Sequence, residues 1–180
     1  MGIFGGNDSL LYKRLRDDLG LVYATGFYQI YKWKAGMLVG YIGCKSDKTS
    51  QAIEETLKIM KSLQKDIPPE QLELKRLDTL NSFVFNVDTP FQLAEVYGLY
   101  QLRKEPLNTL DKIQTAYMTA SKNELEALAG KFLDPKKIQI FVVADKSIQI
   151  KRDGKVITLG QDLMALADRL GIPFQEMALR

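Results

Sequence analysis

Leu15-Arg16-Asp17-Asp18-Leu19-Gly20-Leu21-Val22-Tyr23 carries a helix into a strand through a single glycine. Leu11, Leu15 and Leu19 recur at the i, i+4 interval of one helical face, and Gly20 stands where such a helix stops. The loop Gly5-Gly6-Asn7-Asp8-Ser9 supplies the start of that helix. Downstream, Val22 to Trp33 and Gly36 to Cys44 are rich in aromatic and β-branched residues. Lys34-Ala35-Gly36 offers a turn between them, which predicts an antiparallel pair. A helix and a strand joined this tightly can aim Arg16 and Tyr23 at one point. Arginine brings five donors and a fixed positive charge, and tyrosine brings a hydroxyl. Together they suit a peptide carbonyl or a developing oxyanion. On spacing alone, an arginine on a solvated helix face and a tyrosine in a sheet is the default reading.

Helical signals dominate the middle of the chain. Ile53, Leu57 and Met60 form one apolar stripe, with Thr49 or Ser50 as its cap, and Pro68-Pro69 ends that helix and opens another bearing Leu72, Arg76, Leu80 and Phe83. Thr89-Pro90 is a start signal, a capping hydroxyl followed by proline at the first helical position. Asn108 opens a further helix, and Ser121-Lys122-Asn123-Glu124 is a capping box. Lys137 to Ala144 reads as the clearest late strand, Ser147 to Leu159 as a hairpin turning at Asp153-Gly154, and Gln161 to Leu170 as a last helix stopping at Gly171. Strands, then a block of helices, then strands argue for an α+β fold, an antiparallel β-sheet packed against several α-helices. With no long linker or repeat, residues 1–180 read as one domain.

The composition excludes more than it selects. The 180 residues are 46% hydrophobic and 26% charged, ordinary for a chain with a sizeable core. Lysine and arginine exceed aspartate and glutamate by 25 − 22 = 3, too little to indicate nucleic acid or a membrane surface. No run approaches the roughly 20 apolar residues of a membrane span. There is no histidine, which removes Ser-His-Asp and Cys-His catalysis and every zinc site built on imidazole. The single Cys44 cannot form an internal disulfide and reads as a buried structural thiol. Glu54-Glu55 and Asp17-Asp18 read as solvated helix faces, and Asp145 as a turn former.

Ile3-Phe4-Gly5-Gly6 through Ser9-Leu10-Leu11, then Leu15-Arg16 and Gly20-Leu21-Val22-Tyr23, resembles the second half of inverted-zincin peptidases. This is the family of the mitochondrial processing peptidase, pitrilysin, insulin-degrading enzyme and bacterial processing-type proteases. Its second halves carry a leucine-arginine, a glycine, and a tyrosine seven residues after the arginine. Pro69-Glu70-Gln71-Leu72 with Lys75, Asp88-Thr89-Pro90 with Leu93-Ala94 and Tyr97, Met118-Thr119-Ala120-Ser121, and Phe132-Leu133-Asp134-Pro135 are similar to later segments in the same order. The resemblance covers about residues 3 to 145. Residues 146–180, read as an extra hairpin and helix, match poorly.

What the resemblance implies is a non-catalytic partner. In that family the first half carries H-x-x-E-H and a distal glutamate, which bind zinc and activate water. The second half closes a chamber around extended peptide, and its arginine and tyrosine contact the substrate near the scissile bond. Carried over, those roles fall on Arg16 and Tyr23, and no residue matches a metal ligand. The chain is expected to hold no cofactor of its own and to be inactive alone. Its zinc would sit in a zinc-bearing N-terminal half or catalytic subunit, and its other partner would be the peptide substrate. A family half begins with a strand and helix ahead of the glycine-rich segment. The chain is therefore expected to lack its first strands, to find them in a partner, or to self-associate as a homo-oligomer. The alternatives are a structural homologue without peptidase role, like respiratory-complex core subunits, and a stand-alone peptide-binding domain. The compartment stays open between bacterial cytoplasm and periplasm.

Overall fold

The computed structural model describes residues 2–6, 8–31, 35–85 and 87–177. Helix α1 (Leu10–Tyr12) starts on Ser9, whose hydroxyl accepts from the Tyr12 amide, and runs on as a π-helical stretch, Lys13–Asp18. Gly20 ends it at φ +57°, a left-handed conformation that glycine adopts without a Cβ penalty. Strands β1 (Val22–Tyr31) and β2 (Gly36–Cys44) then pair antiparallel, from Val22 opposite Cys44 to Tyr31 opposite Gly36. The Lys34 end of the expected turn lies outside the described residues.

Helix α2 (Thr49–Ser62) follows a short 3-10 turn, Ser46–Lys48. Neither Thr49 nor Ser50 caps it: Lys48 holds the cap position, the Thr49 hydroxyl donates to the Lys45 carbonyl, and Ser50 is buried for another purpose. Helix α3 (Pro69–Phe85) is followed by α4 (Pro90–Arg103), where Thr89 and Gln92 form a capping box. Next come α5 (Thr109–Thr119) and α6 (Lys122–Phe132), the latter started by the expected Ser121–Glu124 box. A second hairpin, β3 (Gln149–Arg152) with β4 (Lys155–Thr158), turns at Asp153 and Gly154, both at positive φ, and leads into α7 (Leu159–Leu170). Among the described residues the architecture is α+β, with seven helices and two separate two-stranded antiparallel sheets.

The core gathers where the opening segment meets α2. Leu11 and Leu15 are buried against Phe4, Leu21, Val22, Ala52, Met60, Leu63 and Ile67, with Leu72, Ala129 and Leu133 closing it from α3 and the end of α6. Phe4 meets Phe27 edge to face at 4.7 Å between ring centres, which ties the glycine-rich loop to β1. The inner face of the hairpin contributes Phe27, Leu38, Ile42 and Cys44. Cys44 is half-buried, with its sulfur 3.6 Å from the Thr49 hydroxyl.

A further sequence expectation fails. Lys137 to Ala144 is not a strand: Pro135–Lys137 form a 3-10 turn, and residues 138–144 have no regular structure. Phe141 and Val143 are 73% and 84% exposed. A β-prone run becomes a strand only when a neighbour takes up its amides and carbonyls, and among the described residues none does. On α3, Leu72 is buried and Leu80 and Phe83 are half-buried, with Phe83 edge to face against Tyr117. Arg76 donates to the carbonyls of Tyr117, Met118 and Ala120 at 2.8, 2.6 and 2.8 Å, satisfying the carboxyl end of α5.

Candidate functional site

The π-helical stretch brings Arg16 to its last turn, and the turn at Gly20 folds the chain straight back into β1. Leu21 N–H donates to the Leu15 carbonyl at 2.8 Å and Gly20 N–H to the Arg16 carbonyl at 3.1 Å, so the helix end is closed by the chain that leaves it. Such wide turns recur at functional sites because they re-aim a side chain out of the regular helical register. Here the side chain is Arg16. Its Nη1 donates to the Tyr23 carbonyl oxygen at 3.1 Å, and its guanidinium lies 5.2 Å from the centre of the Tyr12 ring.

Tyr23 sits at an irregularity of its own. The pairing of β1 with β2 shifts register between Val22 and Ala24, leaving Tyr23 at a bulge. Its side chain is 68% exposed and its ring lies across Gly43 on β2. The structure therefore brings Arg16 and Tyr23 together through the tyrosine's main chain. The guanidinium holds the strand where the exposed phenol emerges.

Sequence reasoning missed the surface around this pair. Gly26, opposite Tyr41, lies under the Tyr41 ring, and Tyr28 stands 6.4 Å from Tyr41 between ring centres. The outer face of the hairpin thus carries exposed tyrosines above glycines. The signal was present as Tyr23, Gly26 and Tyr28 on one strand against Tyr41 and Gly43 on the other, but it needs the register to be read.

Four of the carboxylates singled out in the sequence, Glu54, Glu55, Asp18 and Asp145, meet cations or local hydrogen-bond donors. Glu55 accepts from Arg14 at 3.1 Å and Lys58 at 2.6 Å, with its side chain 13% exposed, so it is a tether between α2 and the first helix rather than a solvated group. The Lys58 hydrogen bond chiefly, with Arg14, holds the Glu55 carboxyl below its ordinary value against the opposing effect of burial. Glu54 pairs with Arg169 of α7 at 2.8 Å, and Asp18 with Arg14 at 3.6 Å. Asp145 is the turn former expected, accepting from the Ser147 hydroxyl and amide, which lower its pKa.

A deeper polar group was invisible in the sequence. Asp162 on α7 is 2% exposed and accepts from Ser50 at 2.6 Å and from Arg152 at 2.6 and 2.9 Å, while Arg152 also donates to the Asp47 carbonyl. Burial pushes the Asp162 carboxyl up, but the Arg152 and Ser50 hydrogen bonds outweigh it, and the net shift is downward. These contacts fasten α7 to α2.

With no histidine and one cysteine, only carboxylates remain as good zinc ligands, and no three acidic or thiol groups cluster among the described residues. No helix among those residues is long and apolar enough to cross a membrane.

No curated protein matches the chain. Residues 1–77, which include Arg16, Tyr23 and both strands of the first hairpin, match the family described as the peptidase M16 inactive domain. Over those residues the chain is similar to the inactive domain of M16 peptidases.

Proposed function

We propose that this chain is the non-zinc half of a processing-type metallopeptidase, binding extended peptide and presenting Arg16 and Tyr23 to the assembled site. The similarity of residues 1–77 to an inactive M16 domain supports a chain that works with a catalytic half, and in this reading zinc and the general base come from that half. The observation that carries the reading is the Arg16 Nη1 to Tyr23 carbonyl hydrogen bond, which fixes a cation and an exposed phenol at one edge of the hairpin. A guanidinium has five N–H groups, and this contact uses one of them. The pair can hold a peptide carbonyl, and in a site closed from water such donors stabilise a developing oxyanion strongly.

The test combines the chain with its zinc-bearing half and compares Arg16→Ala and Tyr23→Phe. Each lowers turnover by roughly a hundredfold, on the order of 3 kcal/mol, while melting temperature and zinc content stay near those of the parent. The double variant loses less than the two single losses combined, because both groups serve one substrate. Near-normal turnover per folded molecule with a lowered melting temperature would leave the pair a purely structural role.

A further inference from the structure

We infer that Gly43 is a positioning residue for Tyr23. The inference rests on the reading of Tyr23 as a substrate contact and extends it to the residue that seats it. The register shift at Val22/Ala24 leaves the Tyr23 ring to lean across to β2, where it lies over Gly43. A Cβ placed on Gly43 would stand 2.6 Å from Cε2, 2.7 Å from Cζ and 2.9 Å from the hydroxyl oxygen of Tyr23. Carbon atoms in contact settle at about 3.5–4.0 Å, so the ring and a side chain at residue 43 cannot share that space. The atoms in conflict are the far half of the phenol, including the hydroxyl that would meet a substrate.

The consequence separates position from stability. The Tyr23 ring is 68% exposed, and the colliding atoms are the end of a rotatable side chain rather than backbone. An added methyl therefore turns the ring aside at small cost to the fold. The same methyl at Gly5 would meet Phe27 at its Cβ, which cannot swing away. Glycine at residue 43 is explained by where it lets the Tyr23 hydroxyl lie. An aromatic ring laid over a cross-strand glycine also recovers packing that the glycine lacks, which holds the ring down.

The experiment uses the chain assembled with its zinc-bearing half, in four forms: parent, Gly43→Ala, Tyr23→Ala and the double variant. Peptide cleavage gives kcat and KM, and 3-fluorotyrosine labelling gives the Tyr23 ring resonance, assigned by its loss in Tyr23→Ala. Gly43→Ala is expected to shift that resonance and to lower kcat/KM by about tenfold or more, since misplacing a contact by an ångström can cost up to about a hundredfold. In the Tyr23→Ala background the same change is expected to move kcat/KM by less than about twofold, because coupled residues lose additivity. An equal loss in both backgrounds, or an unmoved resonance, would overturn the positioning role. A Tyr23→Ala variant with parental kcat/KM would instead overturn the reading of Tyr23 as a substrate contact, whatever the resonance does.

Discussion

Asp162 Oδ2 and Ser50 Oγ meet at 2.6 Å, joining the last helix to α2 across 112 residues of sequence. Both residues are 2% exposed, and Arg152 completes the group from the second hairpin. A carboxylate in this position is tolerable because three donor contacts replace the water it lost. Asp162→Asn leaves the Arg152 cation without its counter-charge and is expected to lower stability by about 2–3 kcal/mol, less than a fully buried pair loses because the Arg152 side chain is 29% exposed. Urea unfolding measures it. A change below about 0.5 kcal/mol, the usual effect of a surface substitution, would show that α7 is not held by this contact.

The same carboxylate makes stability depend on acid. Its pKa is lower in the folded chain than its ordinary value of 3.8, so its contribution is fully present above that pH. The contribution is lost as pH falls through the lowered folded value. Thermal unfolding followed from about pH 5 down to about pH 2 is expected to fall more steeply for the parent than for Asp162→Asn. Parallel curves would place the acid sensitivity elsewhere.

Gly5 is buried where its backbone passes Phe27. A Cβ there would overlap the Phe27 Cβ and lie 3.2 Å from its Cα. Because Phe27 is edge to face with Phe4 in the core, the strand itself has to move. Gly5→Ala is expected to cost about 1–3 kcal/mol, while Gly43→Ala, whose neighbour can rotate, costs less. Chemical denaturation of the two variants side by side checks the order, and a reversed order would contradict the close approach at Gly5.

Ile140, Phe141, Val142 and Val143 form an exposed, β-prone run with no strand beside it among the described residues. Unpaired apolar edges of this kind template association. The isolated chain is expected to self-associate with rising concentration, and the double substitution Phe141→Lys with Val143→Lys to reduce that association. Light scattering across a concentration series reads both. Unchanged scattering in the double variant would shift the cause to the uncovered apolar residues of α3 and α4.

Local chemistry made much of the chain legible. Thr89-Pro90 and Ser121 to Glu124 announce their helices because capping is settled within four residues, and Asp153-Gly154 announces its hairpin for the same reason. Gly20 and Gly171 mark helix ends that need a left-handed residue. The segment from Ile3 to Tyr23, with later segments in the same order, pointed to the family that residues 1–77 match.

The rest depended on partners distant in sequence. Lys137 to Ala144 has the composition of a strand, yet a strand is a property of two segments, and none pairs with it among the described residues. The capping hydroxyl expected at Ser50 serves Asp162 instead, a choice fixed only when α7 docks on α2. Arg16 and Tyr23 were found by spacing, but spacing says nothing of a hydrogen bond to the Tyr23 carbonyl or of a ring lying on Gly43. Helix starts, helix ends and turns are decided by residues a few positions apart, which the sequence states by itself. Strand pairing, buried charge and the seating of an exposed ring are decided by residues tens of positions apart, which only the tertiary structure brings into contact.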